Sequence, residues 1–241
     1  MFEKITEYFT PYKQHIPGED VFIGTIVFYV LFTLAFFMAD HGNLECTANV
    51  INFYNSVIVF ASIALYLIVN NPVCVVLATS SFLASSLAEL VLGTIYYPER
   101  MFLSTYVHHI VYSALMICTM ALDLNIFSIA MMGSYIEFSA IFQSIKRIWN
   151  VKNKLFDVFN AAVFFITRIV MWIPALVVMY LLSDTTAEKG GILFMALSLI
   201  LHVIWSWTQI GNLIKRYFSG LAPSVAMNEN ISELYLTVPT A

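Results

Sequence analysis

Charge is scarce in this sequence. Only 11% of its 241 residues are Asp, Glu, Lys or Arg, against roughly 25% in an ordinary soluble domain, so a solvated globular surface is excluded. The net charge is −4 and the basic residues sit in short connecting stretches. No patch can neutralise several phosphates, and nucleic acid is not expected as a partner. Cysteine is also sparse. Cys46, Cys74 and Cys118 are far apart, odd in number and without metal-ligand spacing, which signals neither a disulfide framework nor a metal site. They read as small apolar residues of the interior. A cleavable leader is missing from the pattern too. The first apolar run starts at Val21, after Glu19-Asp20, without a basic flank or a small-residue cleavage site, and is expected to be a retained spanning helix. No internal repeat is evident.

What the chain has in quantity is hydrophobic length. Sixty per cent of its residues are hydrophobic, with 20 Phe and 13 Tyr, and the mean hydropathy is +0.82. A membrane-spanning helix needs about 20 predominantly apolar residues. Seven windows meet that length: 21–39, 48–70, 73–96, 102–122, 124–145, 155–183 and 191–214. Turn formers or charges separate them, among them Asp40-His41-Gly42-Asn43, Asn70-Asn71-Pro72 and Tyr97-Pro98-Glu99-Arg100. The expected fold is all-α, a polytopic membrane bundle of about seven transmembrane helices with antiparallel neighbours. Window 124–145 is the weakest. Its nine Leu, Ile and Phe residues contribute roughly −3 to −5 kcal/mol on an insertion scale, and Glu137 costs about +3 at mid-helix. Residues 102–145 read either as two spans or as one broken helix.

With seven spans, Lys4, Lys13 and Lys189 fall on one side. Arg100, Lys146, Arg147, Lys152, Lys154, Lys215 and Arg216 fall on the other. The positive-inside rule then predicts a lumenal or extracellular N-terminus and a cytosolic C-terminus, in the endoplasmic reticulum or plasma membrane. The sequon Asn230-Ile231-Ser232 would go unused on that side. The polar tail 218–241, with Pro223 and Pro239, is expected to be disordered.

Ionisable residues inside spanning helices are costly and face the bundle interior by default. Six lie well inside the windows: Glu89, His108, His109, Glu137, Arg168 and His202. In the last window Ser198, His202, Ser206 and Gln209 recur on one helical face beside Trp205. Ser85, Glu89 and Gly93, then Asn52, Asn55, Ser56 and Tyr66, then Gly133, Ser134, Glu137, Ile141 and Ser144, form comparable stripes. Interhelical hydrogen bonding alone would account for any one stripe. Four together favour a polar or water-containing cavity. His108 and His109 point about 100° apart, His109 toward the face of Ser113 and His108 toward that of Tyr112. Proton transfer is the chemistry a histidine offers here. Arg168, with Asn160 two turns before it and Pro174 releasing the carbonyl of Val170, is expected either to pair with Glu137 or Glu89 or to meet an anionic headgroup.

These residues, in this order, resemble the TLC-domain family, shared by translocating-chain-associating proteins, ceramide synthases and related lipid proteins. Tyr96-Tyr97 followed by STYVHHIVYSALM resembles the family's histidine pair opening a helix. GSYIEFSAIFQSIKRI is similar to its next helix, FFITRIVMWIP to its arginine-bearing helix, and LILHVIWSWTQIGNLIKR to its closing helix with Trp and a basic end. The resemblance covers roughly residues 48–217 and implies six helices around a central lipid-accessible cavity. It divides the chain into an N-terminal segment with one helix (1–47), a TLC-like domain (48–217) and a tail (218–241). Ceramide synthases add an aspartate pair one helix after the histidines. Here that stretch reads Ser134-Tyr135-Ile136-Glu137-Phe138, closer to the smaller, non-synthase TLC proteins associated with membrane lipid composition and lipid homeostasis.

The leading expectation is a multi-pass protein that binds a membrane lipid, or regulates phospholipid or sphingolipid composition, through a polar intramembrane cavity. His108 and His109 are the candidate catalytic groups, and Glu89, Glu137, Arg168, His202, Gln209 and Asn55 the candidate cavity residues. No cofactor is expected. The enzyme alternative is acyl transfer of ceramide-synthase type, with acyl-CoA as co-substrate and a histidine as general base. A seven-helix transporter, channel or receptor is the third, although a retinal protein would need a lysine inside the last helix, which has none before Lys215. Oligomeric state is not legible.

Overall fold

The computed structural model describes residues 2–12, 14, 16–101, 103–121 and 137–218, and these are helical almost throughout, with no strand among them. In chain order the helices are α1 (Phe2–Phe9), α2 (Gly18–Met38), α3 (Leu44–Val69), α4 (Pro72–Tyr96), α5 (Leu103–Ala121), α6 (Glu137–Ile148), α7 (Lys154–Leu182) and α8 (Thr186–Phe218). Five are long and apolar enough to cross a membrane: α2, α3, α4, α7 and α8 over Thr186–Tyr217. Among the described residues, five of the seven windows are occupied by helices of crossing length. Window 102–122 is occupied by α5, whose apolar stretch is the shorter Thr105–Cys118. Of window 124–145, residues 124–136 lie outside the described residues, and the remainder begins α6. The tail expected to be disordered, from 219 onward, is likewise outside them.

The helices stop where the sequence supplies caps. Asn43 accepts from the Cys46 amide at 3.1 Å to start α3. Asn70 ends α3 in a left-handed conformation (φ 49°) that Asn tolerates better than most residues. Asn71 then accepts from the Val73 amide, with Pro72 in the first turn of α4. Asn153 caps α7 through the Leu155 and Phe156 amides. A reciprocal pair starts α8: the Glu188 amide donates to the Thr185 hydroxyl, and the Asp184 and Thr185 amides donate to the Glu188 carboxylate.

α4 is the central helix. Two thirds (67%) of its most apolar stretch is buried, against 17% for α2, because its inward residues are small: Ala78, Thr79, Ser80, Ser81, Ala84, Ser85 and Ser86. Small residues let helix backbones approach closely where no water drives them together. α2 runs parallel to α4, and the Ser80 hydroxyl donates to the Val21 carbonyl at 3.1 Å. A Cβ at Gly24 would stand 2.4 Å from Ser80 Oγ, so only glycine fits. α2 buries little else than Val21, Phe32 and Phe36 and is peripheral.

Hydrogen bonds and ion pairs fix which helix ends lie together. At one end Arg100 pairs with Glu45, Arg147 donates to Asn49 at 3.2 Å, and Asp157 takes both Lys146 (2.7 Å) and Arg216 (3.2 Å). The starts of α3 and α7 and the ends of α4, α6 and α8 are therefore at that end. At the opposite end Tyr66 donates to the Tyr12 carbonyl (2.7 Å), Tyr12 to the Leu67 carbonyl (3.1 Å) and Gln14 to Asn70 Oδ1 (2.8 Å). These seat the segment after α1 on the α3–α4 turn.

Two helices widen into a single π turn, α4 over Glu89–Gly93 and α7 over Ile166–Val170. In α7 the Met171 amide reaches back to the Ile166 carbonyl at 2.9 Å. Pro174, which offers no amide to the Val170 carbonyl, follows directly. π turns of this kind gather at functional sites, and each here carries an intramembrane ionisable residue, Glu89 or Arg168.

Candidate functional site

The site is assembled from the glutamate, serine, histidine and arginine side chains of α4 to α8, with α3 packed against α6 beside it. α3 and α6 run antiparallel and meet through a ladder. Arg147 to Asn49 is its outermost rung, Asn52 Nδ2 donates to Ser144 Oγ at 3.3 Å, and Ser56 Oγ donates to the Glu137 carboxylate at 2.9 Å. Glu137 is thereby buried but hydrogen-bonded, and Phe60 and Phe138 close over the rung with ring centroids 4.8 Å apart. Asn55 is committed elsewhere, accepting from Ser81 of α4 at 2.9 Å.

From α4, Ser86 and Glu89 are three residues apart and share a face, and His109 of α5 spans both. His109 Nε2 lies 2.8 Å from the Glu89 carboxylate and Nδ1 lies 3.2 Å from Ser86 Oγ. The carboxylate fixes the imidazole's orientation, and the chain carboxylate, imidazole, hydroxyl offers a path for a proton. Beneath Glu89, Tyr97 is buried just past the end of α4. Burial first, and then the Glu89 charge, hold its phenol well above the usual range.

The second centre surrounds Arg168 of α7. Its Nε donates to Ser139 Oγ of α6 at 3.2 Å, its Nη1 lies 3.4 Å from His202 Nδ1 of α8, and its guanidinium carbon lies 4.7 Å from the centre of the Phe164 ring. Among the described residues neither Arg168 nor Glu137 enters an ion pair. The expected partnership of Arg168 with Glu137 or Glu89 is thus replaced by neutral hydrogen-bond partners, since Glu89 is taken by His109 and Glu137 by Ser56. Glu137 acts on the guanidinium only through its field.

The two centres are joined by rings in edge-on and tilted contact. His108 is 5.3 Å from His109 and 5.5 Å from Trp205, and Trp205 is 5.8 Å from His202, centroid to centroid. Of the eight residues singled out from sequence, Glu89, His108, His109, Arg168 and His202 form one continuous cluster. Glu137 borders it through the next inward-facing serine, Ser139, while Asn55 belongs to the α3–α4 seam. Gln209 is half-buried, with no polar partner among the described residues.

Several polar atoms of this cluster are buried without a hydrogen-bond partner: His108 Nδ1, Ser113 Oγ, Trp172 Nε1, His202 Nε2 and Ser206 Oγ. Such groups are normally satisfied in native proteins, and their concentration in one place calls for a ligand or water. Among the described residues no three His, Cys, Asp or Glu side chains come together as metal ligands.

Sequence reasoning placed Ser56 on an inward stripe but missed Ser86 and Ser139, which also hold charged groups, because an isolated serine in an apolar helix carries no signal of its own. It also missed Asp157. That carboxylate sits in the first turn of α7 and gathers Lys146, Arg216 and the Tyr217 hydroxyl (2.6 Å) at one end of the bundle. An acid that follows Lys154 by three residues and Lys152 by five is the cue. The chain matches no family model, no curated protein and no solved structure.

Proposed function

We propose that the chain is a multi-pass membrane protein that handles a lipid, binding it or regulating membrane phospholipid or sphingolipid composition, at the polar cluster between α4, α5, α7 and α8. In this reading the bundle crosses the membrane seven times. The basic end lies in the cytosol and the N-terminus in the lumen or outside the cell. The observation that carries the proposal is the joined Glu89–His109 and Arg168–His202 clusters, with unpartnered polar atoms around them, on helices whose outer faces are apolar. A stable bundle has no use for such atoms in hydrocarbon unless something polar meets them. A lipid supplies both a polar group for the cluster and acyl chains for the apolar surround. The motif order resembling the TLC-domain family points the same way.

The test is lipid extraction from the purified protein, together with the lipid composition of membranes that express it. Retention of a defined lipid, lost in His109→Ala, supports the proposal. No retained lipid, with membrane composition unaltered by His109→Ala and Glu137→Ala, refutes it.

One observation favours a catalytic version of the same reading. His109, oriented by Glu89 at 2.8 Å, has the arrangement of a general base that could draw a proton from an amine or hydroxyl nucleophile during acyl transfer from acyl-CoA. Labelled acyl-CoA incubated with the protein and a panel of lipid acceptors decides it. Transfer abolished by His109→Ala establishes the enzyme, and no transfer to any acceptor removes it.

A further inference from the structure

Arg168 sits in a surround that offers donors and lacks an anion. Its Nε is used by Ser139, and Nη1 reaches His202 Nδ1 at 3.4 Å. A guanidinium nitrogen can only donate, so Nδ1 of His202 must accept, which places the proton of the neutral ring on Nε2. That Nε2–H is fully buried and without a partner. Trp172, whose ring stands perpendicular to His202 at 6.2 Å, brings a second buried donor, an indole N–H, also unpartnered. Arg168 Nη2 donates to no protein group among the described residues, and Ser206, one turn beyond His202, adds an unpartnered hydroxyl. The neighbouring carboxylates are engaged: Glu137 accepts from Ser56, and Glu89 is held by His109.

We infer that Arg168, His202 and Trp172 form a recognition site for an oxyanion, so that the lipid handled here carries an acidic head, a phosphate or a carboxylate, seated against the guanidinium inside the bundle. A fixed positive charge, an imidazole N–H and an indole N–H are complementary to a group with several acceptor oxygens and to no neutral apolar ligand. An anion there compensates a charge that the protein itself leaves without an ion pair. The π turn at Ile166–Val170 contributes by widening the helix at the arginine. The inference deepens the lipid reading and rests on it for the source of the anion.

The experiment uses the full chain, purified in a neutral detergent and examined by native mass spectrometry with four probes. These are phosphatidic acid, oleate, phosphatidylcholine with the same chains as the phosphatidic acid, and inorganic phosphate. The expected result is retention of phosphatidic acid or oleate over phosphatidylcholine. Arg168→Gln should weaken that retention roughly tenfold or more, the scale of a lost charge-assisted hydrogen bond. Trp172→Phe keeps the ring and removes only the N–H, and should weaken it roughly three- to tenfold. Where Arg168→Gln fails to fold, Trp172→Phe decides. Equal retention of all lipids, or retention untouched by either variant, overturns the oxyanion site while the lipid reading stands. Inorganic phosphate bound in an Arg168-dependent way without any lipid keeps the site and overturns the lipid reading. Binding of none of the four overturns both.

Discussion

Arg168 remains protonated at any physiological pH, so its removal from water has to be met by hydrogen bonds rather than by neutralisation. Ser139 supplies the one hydroxyl that accepts from its Nε, at 3.2 Å with both side chains buried. Ser139→Ala therefore strands a buried, charged donor and should cost about 1–3 kcal/mol, read as a lower midpoint of thermal unfolding in detergent. An unchanged midpoint would mean that water reaches the guanidinium. Asp157 presents the opposite case, a carboxylate whose side chain is 4% exposed with partners that are 30% and 48% exposed. Asp157→Ala leaves Lys146 and Arg216 free to hydrate, so the expected loss is smaller, about 1–2 kcal/mol. It should shrink little in high salt, because the acid is buried. The ionisable residues of the site were legible in the sequence, since charge in a hydrophobic run stands out. Their partners were not. Periodicity places His109 and Arg168 on inward faces, but which of several acids each one meets depends on helix rotation and on serines that look inert in the sequence.

For whole helices, the sequence spoke most clearly at the ends. Asn43, the Asn70-Asn71-Pro72 turn and the charged Thr185–Glu188 start are local chemistry, and the structure places a cap or turn at each. The π turns were less legible. Pro174 announces the one in α7, but no residue near Glu89 forecasts the one in α4. Close contacts between helices follow from single glycines. At Gly24 an added methyl would meet Ser80 Oγ at 2.4 Å and Cβ at 2.9 Å, and Ser80 is itself tied to the Val21 carbonyl. Gly24→Ala should push α2 off α4 and destabilise by about 1–3 kcal/mol, as overpacking does. The companion Gly18→Ala, with nothing within 4 Å of its Cβ, should be close to neutral. If the two substitutions shift the unfolding midpoint equally, α2 does not dock through Gly24.

Taken as one bundle, the chain constrains its own topology without reference to residues 122–136. It leaves the basic end at Arg100 to enter α5 and is back there at Arg147, because Arg100 and Arg147 both meet the start of α3, through Glu45 and Asn49. Whatever path joins α5 to α6, that excursion returns to its own side and does not alter the parity of the whole. α2, α3, α4, α7 and α8 are five helices of crossing length, an odd number, which is why the Tyr12–Gln14 segment and the Arg216–Asp157 contact lie at opposite ends of the bundle. Tags placed before Phe2 and after Phe218 should therefore be protected by opposite leaflets in sealed vesicles. The positive-inside bias adds the direction: seven basic residues border the Phe218 end, against three on the other. The C-terminal tag is expected to be accessible from the cytosol and the N-terminal one only after permeabilisation. Both tags on one side would contradict the odd number of passes, whereas both on exchanged sides would preserve the bundle and overturn only the charge argument.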